Sequence, residues 1–375
     1  MQRICIIGAG PAGSLAALSL MRRGIDVRLI EQHRFPRDKV CGECISALGW
    51  GVLERMGLAE TVKRAWAVRM TRGIVHGASG RSAEIELPGG MWGISRSSFD
   101  SILLEAARER GVEVWQPGRV EGHGQDARGT NWMRVRYMEN NSVQTIESDV
   151  VIVADGKGTM DGARPGESGD FGIKAHFELR DGAGDAVQLF GVRGCYGGVA
   201  PIEGGLFNVA CSVPRERIER CRDVEAVFEE MMGENRGLQG VMRGAKRVSQ
   251  WMAAPLPRFA VRRDWPVGVI PIGNAAAALE PIGGEGMGLA LRSAELAAEM
   301  LSANSDLRLV QKRLQKKFVQ LWRWRRMIWR SVAMLVSGPI LCELAVDVMN
   351  VTNVGERLVS LAKGMGVINE SGSLE

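Results

Sequence analysis

The stretch Ile4-Cys5-Ile6-Ile7-Gly8-Ala9-Gly10-Pro11-Ala12-Gly13 decides the fold of this chain. An apolar run typical of a buried strand ends in glycines spaced G-x-G-x-x-G, and a helical pattern begins near Ser14. Gly8 allows the positive φ of a sharp turn, Gly10 allows the main chain to approach a pyrophosphate, and Gly13 leaves room where helix meets sheet. The N-terminal N–H groups and the positive dipole of the helix point at that phosphate. The spacing therefore predicts a dinucleotide-binding turn.

A second strand follows the first helix and supports this interpretation. Gly24 ends the helical pattern, and residues 25–30 form a strand pattern that leads to Glu31. An acid about 20 residues after the glycines accepts hydrogen bonds from a ribose diol, so we expect Glu31, with Gln32 beside it, at the adenosine. Such a site needs a free 2′-OH, which favours FAD or NAD over NADP.

Length and composition are those of an ordinary globular protein. At 375 residues, with 45% hydrophobic and 24% charged residues, the chain is long enough for two or three structural units. Its net charge of +5 is small for this length and indicates no nucleic-acid partner. Because the glycine motif starts within a few residues of Met1, we expect no leader peptide and a cytoplasmic protein. Seven irregularly spaced cysteines and four histidines favour neither a disulfide framework nor a metal site.

Residues 32–42 form a polar, cationic stretch that is too irregular for a helix or strand. Arg37 and Lys39 are expected either to face a cofactor or, as charged loop residues commonly do, to be solvated. Cys41 and Cys44 are the only close pair of cysteines. One or both thiols face the cofactor, or both residues simply fill a tight loop, and the sequence leaves both interpretations open.

Two later strands end in comparable turns. Residues 149–154 end at Asp155-Gly156, and residues 267–272 end at Gly273-Asn274. Because ligands bind at the carboxyl ends of parallel strands, we expect both turns to lie beside the first glycine motif. A glycine loop at residues 281–288 then begins a helix, whose N–H groups and dipole would hold a developing negative charge.

Between these motifs the chain consists mainly of strands. Residues 67–94 and 171–256 are predicted as short strands of an antiparallel sheet, separate from the nucleotide-binding layer. Ser97 or Ser98 is expected to cap a helix that follows Arg96.

Together these motifs resemble the FAD-dependent aromatic hydroxylase (p-hydroxybenzoate hydroxylase-like) superfamily, over the chain up to its C-terminal segment. The first motif with Glu31 is similar to the adenosine site of that superfamily, and Arg96 with the helix after it is similar to its arginine-plus-helix element. Asp155-Gly156 resembles its Asp-Gly motif, and Gly273-Asn274 with the following loop resembles its Gly-Asp motif and flavin loop. Residues 35–43 are most similar to the reductase and related oxygenase branch. The whole set of motifs resembles the branch near geranylgeranyl reductases and flavin-dependent halogenases.

The resemblance implies an α/β fold class, in which a Rossmann-like FAD-binding domain (ββα-type dinucleotide fold) carries an inserted antiparallel β-sheet substrate domain and C-terminal helices. It assigns residues 1–66, 96–165 and 262–305 to the FAD-binding domain, 67–95 and 166–261 to the substrate domain, and 306–375 to the C-terminal helical segment. FAD is the expected cofactor, with NAD(P)H as a transient electron donor. The residues expected to bind FAD are Gly8, Gly10, Ala12, Gly13, Glu31, Gln32, Arg96, Asp155, Gly156, Asn274, Pro281, Gly284, Gly286 and Met287.

Two departures from the family pattern bear on function. Asn274 stands where the family has an aspartate that bonds the flavin ribitol chain; an amide keeps one acceptor, so we still expect FAD to bind. On a substrate-domain strand, geranylgeranyl reductases show Tyr-x-Trp-x-Phe-Pro and tryptophan halogenases Trp-x-Trp-x-Ile-Pro, whereas this chain has Tyr196-Gly197-Gly198-Val199-Ala200-Pro201. We therefore predict a monooxygenase that hydroxylates a hydrophobic or aromatic small molecule with NAD(P)H and O2.

The alternatives are an FAD-dependent reductase of isoprenoid double bonds and, second, a non-catalytic flavin-binding sensor; a halogenase is less favoured than hydroxylase or reductase. The sequence identifies no catalytic acid or base. Arg37, Cys41 and Tyr196 are candidates, as is the polar His176, and the alternative for each is a structural or surface role.

Residues 307–348 form a long segment that is both apolar and basic. Arg330, Pro339 and Glu343 interrupt it, so it lacks the ~20 clean apolar residues of a membrane-spanning helix. Two interpretations remain. We favour a helical cap over the substrate pocket; the other is a peripheral membrane contact, in which tryptophans lie at the apolar border and arginines snorkel.

Overall fold

The computed structural model describes residues 3–127, 129–156, 169–180, 184–257, 261–352 and 355. In these residues the chain forms three sheets and ten α-helices. The strands are β1 (Ile4–Ile7), β2 (Val27–Ile30), β3 (Cys44–Ser46), β4 (Val68–His76), β5 (Ser82–Gly93), β6 (Glu113–Trp115), β7 (Gly118–Gln125), β8 (Asn131–Tyr137), β9 (Val143–Ser148), β10 (Val150–Val153), β11 (Asp170–Glu178), β12 (Ala186–Val192), β13 (Cys195–Pro201), β14 (Phe207–Pro214), β15 (Lys246–Arg247), β16 (Met252–Pro255) and β17 (Val269–Pro271). The helices are α1 (Pro11–Met21), α2 (Ala47–Met56), α3 (Ala59–Arg64), α4 (Arg96–Glu109), α5 (Arg215–Cys221), α6 (Val224–Glu234), α7 (Arg236–Val241), α8 (Gly286–Ala303), α9 (Leu307–Val336) and α10 (Pro339–Val351).

The nucleotide-binding part is built on a parallel sheet of five strands in the order β17-β10-β1-β2-β6. Its central strands are buried and apolar throughout, as expected where both faces of a sheet are covered. Ile4 and Ile6 belong to the core shared with α1 and α8. Cys5 and Ile7 pack instead against side chains of the small β7-β8-β9 sheet on the opposite face. The carboxyl ends of β1, β10 and β17 therefore meet at one edge.

The second part is a large sheet in the order β15-β11-β14-β13-β12-β4-β5-β3, with β16 beside β11. The expected antiparallel sheet is confirmed, with one exception, since β12 and β4 run parallel. These two strands come from the two chain stretches that flank α4, so no hairpin joins them. Phe177, Phe228 and Trp251 form an aromatic cluster between this sheet and α6.

Ser95 caps α4, so the expectation that Ser97 or Ser98 does so was wrong. The Ser95 hydroxyl accepts the backbone N–H of Ser98, and the helix already includes Arg96. Closely spaced serines carry the same capping chemistry, and only the backbone angles decide which of them is the cap. As a consequence, Arg96 is held on the first turn of a helix.

α9 and α10 pack over both parts of the molecule. Leu314, Phe318 and Trp322 of α9 are buried in the core of the nucleotide-binding part, and Cys342 and Val346 of α10 pack on β4 and β5. Among the described residues, no helix taken singly has both the length and the apolar character to cross a membrane; α9 and α10, as a pair bent by 107°, meet that criterion together.

The predicted domain boundary between residues 165 and 166 lies outside the described residues, as does the C-terminal segment after residue 355. β3 lies in the stretch assigned to the FAD-binding domain, yet it pairs with β5 of the large sheet. The two parts of the molecule are therefore interleaved at this strand.

Candidate functional site

One large cavity lies between the carboxyl ends of the parallel strands, the large sheet and the C-terminal helices. Its volume is about 1020 Å³, at the upper end of the range for small-molecule sites. The three turns singled out in the sequence all reach it. The residues of the expected FAD set that line it are Gly8, Gly10, Ala12, Glu31, Gln32, Arg96, Asp155, Gly156, Asn274, Pro281, Gly284, Gly286 and Met287.

Gly13 is the member of the expected set that the cavity lining does not include. A Cβ at Gly13 would lie 1.8 Å from the carbonyl oxygen of Gly8, so this glycine permits α1 to pack against the turn. Gly8 has φ +96°, and a Cβ there would lie 2.7 Å from the oxygen of Ala154. A Cβ on Gly10, in contrast, would have only the ends of two arginine side chains within 4 Å. The N-terminus of α1 therefore faces open space at Gly10.

Glu31 connects the glycine turn to the end of β2. Its carboxylate is buried and accepts the N–H of Ala9 and the N–H of His33, each at 2.8 Å. The acid expected at the ribose is thus fixed by two backbone donors at the wall of the cavity. A carboxylate has further lone pairs for hydroxyl donors.

Three cationic side chains converge beside Gly10 and Gly156. Arg96 makes a two-pronged ion pair with the buried Asp100, at 2.7 and 2.6 Å, and Arg37 approaches the same carboxylate at 3.4 Å. The Nζ of Lys39 lies 2.9 Å from where a Cβ on Gly156 would be. One carboxylate thus serves the two guanidinium groups, and Lys39 adds a further positive charge.

The electrostatics of this cluster favour an anion. Burial, helped by the charges of Arg96 and Arg37, lowers the pKa of Lys39 to about 8. Burial also lowers the pKa of Arg37, whose Nε has no hydrogen-bond partner among the described residues. For Arg96, burial opposes the charged form, but the Asp100 carboxylate outweighs it and raises the pKa. The orphaned donor and the lowered pKa of Lys39 both indicate a site completed by a diphosphate, so these residues fit FAD.

The loop before α8 forms another wall of the cavity. A Cβ on Gly283 would lie 2.4 Å from the Trp329 indole of α9, and Gly284 has φ +62°. The Trp329 Nε1 donates to Glu285 at 2.9 Å, which fixes the indole under the loop. Gly286, the first residue of α8, has open space at its Cβ position. The N-terminus of α8 therefore faces the cavity, as the sequence predicts for a flavin loop.

Tyr196 lies in the cavity wall and donates its phenolic proton to Glu280. Burial, reinforced by the Glu280 carboxylate, raises the pKa of Tyr196. The second oxygen of Glu280 accepts from Arg330 at 3.2 Å, and Arg330 is largely exposed. These contacts form a chain of polar groups from solvent to the cavity. Sequence reasoning did not single out Glu280; the available signal was an acid directly before Pro281.

Cys41 and Cys44 both line the cavity, but they differ in environment. The thiol of Cys41 is half-buried and accepts the N–H of Glu43 at 3.4 Å. Cys44 is buried, it donates to the oxygen of Gly42 at 3.2 Å, and burial raises the pKa of its thiol. Cys41 is therefore the more reactive candidate of the two.

Glu43 is the centre of a buried charged cluster that the sequence did not reveal. Its backbone has φ 56°, and its carboxylate accepts from Lys174 at 2.5 Å, from His176 at 2.7 Å and from the N–H of Arg96 at 2.7 Å. Asp38 accepts from the same lysine at 3.1 Å. The ligand atoms of Asp38, Glu43 and His176 lie within 4.8 Å of one another, as in a metal site. The Lys174 ammonium, however, supplies the positive charge between the two carboxylates, so His176 and Lys174 serve to fix the loop.

The end of the cavity away from the cation cluster is aliphatic. From the large sheet it is lined by Val75, Ile85, Leu87, Val187 and Leu189. From α9 and α10 it is lined by Val332, Leu335, Leu341, Leu344 and Val348. Gly198 and Ala200 of β13 also face this space, where larger side chains would narrow it. We call this end the aliphatic lobe.

Fold and site together define an FAD-dependent oxidoreductase. Residues 1–174 match the family described as FAD binding domain, and the superfamily expected from the motifs is confirmed. The chain is 26% identical over 338 residues to the menaquinone reductase of Mycolicibacterium smegmatis, covering 80% of this chain and 76% of that protein.

Two solved structures share the fold. A geranylgeranyl bacteriochlorophyll reductase-like protein of Thermoplasma acidophilum has a TM-score of 0.80 at 18% identity, covering 96% of this chain and 95% of that one. PqsL of Pseudomonas aeruginosa, described as a probable FAD-dependent monooxygenase, has a TM-score of 0.75 at 19% identity, covering 92% and 99%. One fold therefore carries differently named activities, so the fold alone does not determine the reaction.

Proposed function

We propose that this protein reduces carbon–carbon double bonds in a long isoprenoid-type chain, with electrons that NAD(P)H delivers through FAD. The observation that carries the proposal is the aliphatic lobe, which continues the cofactor cavity between the large sheet and α10. The named activities of two similar proteins, a menaquinone reductase and a geranylgeranyl bacteriochlorophyll reductase-like protein, support it.

The lobe selects for chain length and flexibility. Valine, isoleucine and leucine side chains form its wall, with two small residues at Gly198 and Ala200. Each methylene transferred from water into such a wall contributes about 0.8 kcal/mol, so a five-carbon isoprene unit contributes roughly 3–4 kcal/mol. A compact aromatic substrate would leave much of the lobe unfilled. A branched, flexible chain suits it better.

Reduction of a double bond needs a hydride on one carbon and a proton on its neighbour. FAD bound in this cavity and reduced by NAD(P)H would supply the hydride. Tyr196 is a protonated group in the cavity wall, and Glu280 with Arg330 connects it to solvent. Cys41, also in the wall, is the second candidate for the proton. We therefore expect Tyr196→Phe, which keeps the ring, to lower kcat by about 10²- to 10⁴-fold, the usual contribution of a positioned acid.

The proposal is tested by anaerobic turnover. The FAD-loaded protein is given NADH or NADPH and a C20 isoprenoid alcohol, and the product is analysed by mass spectrometry. We expect a gain of two hydrogens per reduced bond. Turnover that requires O2 and adds an oxygen atom to the product would refute the proposal.

A matched pair of variants locates the substrate. Val348 lines the lobe, whereas Val351, one turn further along α10, is exposed and does not line it. We expect Val348→Trp to raise KM for the C20 chain at least tenfold and to leave KM for a C5 alcohol nearly unchanged. Val351→Trp is expected to alter neither. Equal effects of both substitutions would contradict the assignment of the lobe.

A monooxygenase acting on a hydrophobic molecule is the second candidate. Gly198 and Ala200 favour it, because they replace the aromatic positions of the reductase motif on β13. Substrate-stimulated O2 uptake, coupled to NAD(P)H oxidation, is the result that would support it.

A further inference from the structure

We propose that the exposed faces of α9 and α10 form a docking surface for an anionic lipid bilayer, from which the substrate chain enters the cavity directly. The surface observations are independent of the reaction. The entry route rests on the proposed function.

α10 is apolar on both of its sides. Cys342 and Val346 are buried against β4 and β5. The opposite side exposes Ile340 (78%), Leu344 (57%) and Val348 (49%), at helical spacing. Apolar side chains on two opposite sides of a helix are normally covered by protein or by lipid, and the described residues of this chain cover only one of these sides.

The apolar surface continues onto the end of α9. Met327 and Met334 are each 56% exposed there. We call this set the apolar face; its main residues are Met327, Met334, Ile340, Leu341, Leu344 and Val348.

The border of the apolar face is basic. α9 contains nine lysines and arginines and no acid, with Lys316, Lys317 and Arg323 exposed. The acids of α10, Glu343 and Asp347, are both paired with Arg81 of the β4–β5 hairpin, which offsets part of their negative charge. Apolar side chains bordered by cations match the acyl chains and anionic headgroups of a bilayer. A second copy of this chain is a poorer match, because pairing would bring two basic helices together.

The apolar face is continuous with the aliphatic lobe. Leu341, Leu344 and Val348 are solvent-exposed and also line the cavity. The lobe therefore opens at the surface that would contact the bilayer. A lipid-dissolved chain reaching the cavity by this route would not have to expose its methylene groups to water.

Vesicle binding tests the proposal. The full-length, FAD-loaded protein is sedimented with phosphatidylcholine vesicles, with and without phosphatidylglycerol. We expect binding to the anionic vesicles that weakens as salt is raised. The double variant Met334→Gln/Ile340→Gln is expected to bind at least about 30-fold more weakly, since two large apolar side chains lose their insertion. Neither residue lines the cavity.

The matched control is Met138→Gln/Val267→Gln. Met138 (53% exposed) and Val267 (45% exposed) lie outside the apolar face and outside the cavity lining. This variant is expected to bind vesicles like the unmodified protein. Equal weakening by both pairs, or no binding of the unmodified protein to anionic vesicles, would overturn the proposal. So would a dimer in analytical ultracentrifugation that dissociates in the Met334/Ile340 variant.

Turnover separates failure of docking from failure of the proposed function. The docking variant should reduce a short, soluble isoprenoid alcohol at the normal rate and lose activity on a C20 chain dissolved in vesicles. Normal activity of the variant on the vesicle-dissolved chain would refute entry from the bilayer, but it would not contradict the proposed reductase function. Vesicle binding without reduction of any isoprenoid would refute the reductase alone.

Discussion

Lys39 should make FAD binding dependent on pH. Without cofactor its pKa is lowered to about 8, because partial burial and the charges of the neighbouring Arg96 and Arg37 disfavour its ammonium form. The FAD pyrophosphate would favour the ammonium form and return the pKa to about its ordinary value of 10.4 or higher. The complex then binds more protons than its components, so affinity falls as pH rises above 8.

The size of the effect follows from the two pKa values. With pKa values of about 8 and about 10.4, linkage weakens FAD binding about 30-fold between pH 6 and pH 9.5, or about 2 kcal/mol. The folding stability of the protein without cofactor changes with pH in the opposite direction. A lowered lysine pKa makes the unfolded chain the better proton binder, so Lys39 contributes more stability as pH rises past 8.

The assay is a fluorescence titration of FAD at pH 6 to 9.5, with calorimetry in two buffers to count the protons taken up. Lys39→Arg keeps the charge without a titration in this range, so its dissociation constant should lack this pH dependence, and it also corrects for any titration of FAD itself. Lys39→Met should bind FAD more weakly at neutral pH, and its dissociation constant should also lack this pH dependence. An unmodified protein whose Kd does not change, or an Arg variant with the same slope, would refute the reasoning.

Three further predictions concern the turns and the buried charges. Lys174→Met should destabilise the fold by about 3–5 kcal/mol in chemical denaturation, because it leaves the Glu43 carboxylate buried without its lysine; the Lys174→Met/Glu43→Gln double variant should recover part of that loss. Gly13→Ala should fail to fold or lose FAD, since its Cβ would lie 1.8 Å from a carbonyl oxygen, whereas Gly10→Ala should fold, as judged by circular dichroism, and lose FAD affinity. Asn274→Asp should still bind FAD in the same titration; complete loss of binding would show that the amide is required at this position.

The sequence predicted the turns of the cofactor site because each depends on local backbone chemistry. Gly8 needs positive φ, Gly13 needs the absence of a side chain, and strand polarity places Asp155 at the same edge. The structure brings these residues to one cavity, as expected. Such requirements restrict the residue type at fixed positions along the chain, so they are visible in the sequence.

The charged pairs could not be predicted in the same way. Glu43 meets Lys174 across 131 positions, and Tyr196 meets Glu280 across 84. Each pair joins a loop of the nucleotide-binding part to a strand of the large sheet, and no periodicity links the partners. The parallel pairing of β4 and β12 could not be predicted for the same reason: the two strands are far apart in sequence, and no local pattern links them.

The contact between Gly283 and Trp329 has a consequence for protein engineering. The indole of α9 occupies the place that any side chain at position 283 would need, so loop and helix form a matched pair. A chimera that exchanges α9 and α10 with those of a relative must therefore import the residue at 283 as well. Grafting the C-terminal helices alone would deform the loop at the cofactor before it changed the choice of substrate.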